Sequence, residues 1–162
     1  MWRVSPFRTI VSGAVKTSGA LAAVYAVDPH PSGMYIICLF FLLFFWEIGG
    51  QNVPNDWSDI GEDTRFQAQT VPIRLGLEQA NVIIFGSIIL TIMLSGILLV
   101  LSNVAFELPF ILAFAFVGLY FLLLPTIKLY RSEESSYAMI LFNKASYYPL
   151  ALLVVVVIKL LV

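Results

Sequence analysis

Charge is scarce in this sequence. Its 162 residues include nine lysines and arginines and ten aspartates and glutamates, 12% in all, roughly half the usual share of a soluble domain. With 60% hydrophobic residues and a mean hydropathy of +0.93, a water-soluble fold is excluded, because too little polar surface remains to cover it. A net charge of −1 leaves no basic stripe, which argues against a nucleic-acid partner. One cysteine, Cys38, inside an apolar run, excludes a disulfide framework or a cysteine-based metal site; it reads as a small buried hydrophobe. The single histidine, His30, stands in the turn "DPHPSG" and reads as a turn residue. No Ser/His/Asp set and no phosphate-cradling glycine loop is present, and no repeat or low-complexity segment.

What the sequence has in abundance is long apolar runs. Five stand out, at about 9–27, 33–50, 80–101, 106–127 and 137–162, each near the roughly 17–25 residues that cross a bilayer as helix. Strict period-two alternation is absent, and lipid offers no partner to an open sheet edge. The predicted fold class is therefore all-α, an integral-membrane helical bundle of about five transmembrane helices in a single membrane domain, 1–162. The start "MWRVSPFRTI" mimics a signal peptide, but further apolar runs follow and no small-residue cleavage pattern precedes a soluble domain; it reads as a span.

Lysine and arginine set the expected orientation. Arg3 and Arg8 precede the first run, Arg65 and Arg74 lie in the polar stretch 51–79, and Lys128 and Arg131 in the connection 128–136. The turns at 28–33 and 102–107 have none, and Lys159 alone breaks the pattern. The N-terminus and the 51–79 loop are expected on the cytoplasmic side of what is expected to be the cytoplasmic membrane.

That loop gathers Asp56, Asp59, Glu62 and Asp63 in "NVPNDWSDIGED". Read as helix beyond Pro54, at about 100° per residue, Asn52, Asp56, Asp59 and Asp63 fall within about 60° of one another, with Asn55 to one side. Like charges at helical spacing repel, so a cation is expected among them. Mg²⁺ takes oxygen ligands, commonly one or two carboxylates plus a substrate's phosphates. The plainer reading is a solvated acidic face between two spans.

The stretch "NDWSDIGED" fits the form N-D-x-x-D-x-x-x-D and, with "GGQNVPND" before it and "TVPIRLG" after it, resembles the second aspartate-rich motif of the UbiA-type prenyltransferase family. The resemblance covers most of the chain and corresponds to the C-terminal half of that family's roughly nine helices. It implies a membrane enzyme that uses Mg²⁺ to bind a prenyl diphosphate and transfers the prenyl group to an aromatic or other lipid-soluble acceptor. It implies Asp56, Asp59 and Asp63 as the metal-binding and catalytic carboxylates, assisted by Asn52 or Asn55, with Lys16, Arg65 and Arg74 on the diphosphate. The family's other aspartate-rich motif does not occur in this sequence, so a partner N-terminal half is expected for activity. Gln67 and Gln69 stand where family members often have glycine and lysine, and Thr64 separates Asp63 from Arg65. The alternative is a non-catalytic membrane subunit or fragment that binds a lipid diphosphate.

Other residues carry open readings. Lys16, within the first run, either reaches a diphosphate oxygen or snorkels to the interface. Glu47 either pairs with Arg65 or Arg74 or marks the interface. Tyr147 and Tyr148 either shelter an allylic cation or anchor the interface. Gly13, Gly19, Gly86 and Gly96 are candidate helix–helix contacts.

Overall fold

A computed structural model describes residues 6–102 and 107–162; Arg3, Phe106 and most of the 102–107 turn lie outside the described residues. Among the described residues, five helices are long and apolar enough to cross a membrane: Phe7–Val27, Gly33–Ser58, Leu77–Leu101, Leu108–Ser132 and Ser135–Leu161. The first is α1, the third α6 and the last α9. The second is composite: α2 (Gly33–Trp46), a π-helical turn (Glu47–Asn52) and α3 (Val53–Ser58). The fourth is α7 (Leu108–Gly118), a second π-helical turn (Leu119–Leu123) and α8 (Leu124–Ser132). Two short helices, α4 (Ile60–Arg65) and α5 (Val71–Leu75), cap one end. The described residues contain no strand.

Both π-helical turns end just before a proline, Pro54 and Pro125. Proline has no N–H to give and crowds the carbonyl four residues back. The wider i→i+5 register relieves that crowding, and Val53 N–H accordingly donates to the Ile48 carbonyl. Gly76 ends α5 at φ 86°, ψ 163°, a conformation that side-chain-bearing residues avoid.

Three contacts between distant residues fix the alternating helix directions. Arg8, at the start of α1, meets Asp56 in α3. Asn81, at the start of α6, donates to the Tyr130 carbonyl near the end of α8. Lys159, at the end of α9, reaches Glu107 just before α7. The buried core lies towards the capped end, where Val53, Trp57, Ile84, Ile88, Leu129 and Leu141 interlock. Elsewhere large apolar side chains such as Val15, Val100 and Leu161 stay exposed, as lipid-facing residues do.

The composite second helix, at 26 residues, runs about 39 Å against about 30 Å of hydrocarbon. The expected span 33–50 therefore continues as helix beyond the apolar run, and the stretch expected as a polar loop begins inside it. Of the four glycines expected at helix contacts, only Gly13 meets a neighbour among the described residues, the Phe44 ring; a Cβ on Gly19, Gly86 or Gly96 would meet none of them within 4 Å. The tight contacts belong instead to Gly49 against α6 and Gly50 against Ala145.

Candidate functional site

The apolar helix α1 carries one polar stripe. At about 100° per residue, Arg8, Thr9, Ser12 and Lys16 fall within about 100° of arc. This stripe faces the composite second helix. Between them lies a polar cavity of about 340 Å³, lined by Arg8, Ser12, Lys16, Gln51, Asn52, Asn55 and Asp56 among others.

Two ion pairs bracket it. Arg8 Nη2 donates to Asp56 Oδ1 at 2.6 Å, and Lys16 Nζ to Glu47 Oε2 at 2.7 Å. Both carboxylates are buried while both cations remain about half exposed. In a regular α-helix, Glu47 and Asp56, nine residues apart, would lie about 180° from each other. The π-helical turn between them takes up one extra residue, worth about 100°, and lets both carboxylates turn towards α1. Gln51, in the same turn, donates to the Gly50 carbonyl at 3.1 Å, the group that Pro54 leaves without its α-helical donor. Ser146 on α9 in turn donates to Gln51 Oε1 at 3.2 Å.

Asp56 is 3% exposed, and among the described residues its Oδ2 has no hydrogen-bond partner; the buried Asn52 Nδ2 has none there either. A buried polar atom without a partner is costly, and here two such atoms lie on cavity-lining residues. The charges of Arg8, Asp63 and Asp59 all bear on Asp56.

A break in the helix falls within the expected face of Asn52, Asp56, Asp59 and Asp63. The helix stops at Ser58, and Asp59 (φ −98°, ψ 11°) separates α3 from α4. Asp59 instead accepts from Asn55 Nδ2 and Ser58 Oγ, both at 3.2 Å, and Asp63 sits on α4. Neither lines the cavity. Among the described residues, no group of three His, Cys, Asp or Glu side chains is placed to hold a metal ion. The buried Asp56 carboxylate and the amides of Asn52 and Asn55 line one cavity; these residues could hold a Mg²⁺ ion only with its shell completed by phosphate, not as an all-protein cage.

Of the expected diphosphate cations, only Lys16 lines the cavity. Arg65, at the end of α4, and Arg74, in α5, are exposed on the cap. Glu47 pairs with Lys16, not with Arg65 or Arg74, because it faces α1 and not the cap. Arg8, expected only to orient the chain, lines the cavity as well; its signal in the sequence is the four-residue recurrence of polar side chains through Ser12 to Lys16. Tyr148 is buried in the core while Tyr147 is 60% exposed, so the two do not act as one aromatic pair.

Five apolar helices, with a polar, charge-paired cavity between the first and the second, define an integral-membrane protein. The family model described as the UbiA prenyltransferase family matches residues 1–158, and the chain belongs to that family. It is thereby a membrane prenyltransferase in the general sense of the family. No curated protein and no solved structure gave a match.

Proposed function

We propose that this chain carries a Mg²⁺-dependent prenyl-diphosphate site and takes part in transferring the prenyl group to a lipid-soluble, in the first instance aromatic, acceptor. The observation that carries the reading is that buried Asp56, whose Oδ2 has no partner among the described residues, lines a polar cavity together with Arg8, Lys16, Asn52 and Asn55. Asp56 with the amides of Asn52 and Asn55, and Asp59 and Asp63 from the rim, would hold Mg²⁺, which when bound supplies neutralisation of phosphate charge. Arg8 and Lys16 hold further phosphate oxygens. Arg65 and Arg74, exposed on the cap, attract the diphosphate electrostatically as it arrives. As the bond from the prenyl carbon to oxygen breaks, its electron pair leaves with the diphosphate, where these cations stabilise it. The acceptor's nucleophilic atom then forms its bond to the prenyl carbon and gives up its proton to the departed diphosphate, while the apolar helix faces keep water away from that carbon.

The reading places the cap on the cytoplasmic side of the membrane. It also includes a second carboxylate set from another segment or chain, because the cavity's two cations are left about half exposed. The test is transfer of a labelled prenyl group from its diphosphate in membranes containing the chain, with and without a co-expressed family N-terminal half. Mg²⁺-dependent transfer lost in Asp56→Asn supports the reading. Diphosphate binding without transfer in either preparation would favour a non-catalytic subunit.

A further inference from the structure

We propose that Glu47 is a positioning residue: it fixes the Lys16 ammonium at the inner end of the polar cavity, so that Lys16 presents its remaining N–H groups to the anionic end of the bound substrate. The inference rests on the diphosphate reading above and adds the residue that decides where the deeper cation stands.

The geometry has three parts. Arg8 and Lys16 are eight residues apart on α1, about 12 Å along the axis, and each meets a carboxylate of the antiparallel second helix. The two ion pairs are rungs, with Ser12, Gln51 and Asn52 lining the space that they bracket. Secondly, Lys16 lines the cavity and Glu47 does not; the carboxylate stands behind the ammonium. Thirdly, the burial is lopsided, with side-chain exposures of 53% for Lys16 and 8% for Glu47. A buried carboxylate stripped of its partner is strongly unfavourable, so Glu47 keeps Lys16 where it is when a ligand enters. An ammonium has three donors, and Glu47 engages one at 2.7 Å.

The π-helical turn supplies a separate reason. It begins at Glu47 and brings Glu47 and Asp56 round to the same partner helix, which regular α-helical winding would not do. A lysine in mid-helix in a membrane protein is expected to face a cavity or a partner rather than lipid, and the cavity is what Lys16 faces.

The test measures binding of a non-hydrolysable prenyl thiolodiphosphate with MgCl₂ to the full chain in detergent, by calorimetry, with the melting temperature followed in parallel. Glu47→Gln is expected to weaken binding about tenfold, the size of one charge-assisted hydrogen bond, and Glu47→Asp to recover part of the loss. The charge swap Lys16→Glu with Glu47→Lys rebuilds the ion pair with its charges exchanged. If Glu47 positions Lys16, the swap recovers the melting temperature while binding stays at least as weak as in Glu47→Gln, because a carboxylate now faces the cavity. If the swap restores binding together with melting temperature, or Glu47→Gln binds as well as the wild type, the inference is overturned. Asp56→Asn separates the two levels: unchanged binding there sinks the diphosphate reading itself, whereas weakened binding there beside full binding in the swap sinks only the role of Glu47.

Discussion

Trp46 Nε1 donates to the carbonyl of Ala145 at 2.9 Å, a carbonyl with no α-helical donor because the residue four positions on is Pro149. The proline in α9 and the indole in α2 therefore form one device, and it sits one residue before Glu47. Trp46→Phe keeps an aromatic ring, though a smaller one, and strands the carbonyl. A cost of about 1–3 kcal/mol is expected, read as a lower melting temperature in detergent. Pro149→Ala returns an N–H donor, so the double variant should lose much less than the sum of the two single changes. Strict additivity would show that the bond does not couple the helices.

Gly49→Ala tests the approach of the composite helix to α6. A Cβ there would stand 2.6 Å from Ser87 Cβ and 3.0 Å from the Ile84 carbonyl oxygen. Part of that obstruction is backbone, so the helices must separate, at an expected cost of about 1–3 kcal/mol. Gly19→Ala, which meets nothing within 4 Å among the described residues, should match the parent or exceed it by up to about 1 kcal/mol, since alanine is the better helix former. Equal melting temperatures for the two variants would contradict this packing.

The acidic residues should not contribute equally. Asp56→Asn is expected to weaken Mg²⁺-supported binding of a prenyl diphosphate analogue about a hundredfold, since it removes a buried charge that meets both Arg8 and the ligand. Asp59→Asn, which keeps its side-chain contacts with Asn55 and Ser58 within reach, should lose about tenfold or less. A reversed order would move the metal from the cavity to the rim.

Orientation can be read by thiol labelling. With Cys38 replaced by alanine, Thr64→Cys on the cap and Ser102→Cys at the opposite end, both exposed positions, are probed with a membrane-impermeant maleimide. Ser102→Cys should label in intact cells and Thr64→Cys only after permeabilisation. Labelling of Thr64→Cys from outside would invert the proposed topology.

Much of the architecture follows from composition and periodicity alone. Five apolar runs separated by turns and polar stretches leave little choice but five helices, because in lipid each backbone N–H and C=O must find its partner within its own segment. The acidic motif and the family resemblance were legible for a related reason: carboxylates in so apolar a chain stand out. Tertiary structure decided which of those carboxylates faces the cavity. Asp56 turns inwards because the helix persists through it, while Asp59 interrupts that helix and leaves Asp63 on another. Arg8 joins the site and Arg65 and Arg74 do not, because pairing depends on how α1 lies against the composite helix, which no spacing along one segment reveals. Above all, the π-helical turn moves Glu47 to the side of Asp56. Counting at 100° per residue puts the two on opposite faces; one extra residue in a single turn, next to a proline that cannot donate its hydrogen bond, brings them together.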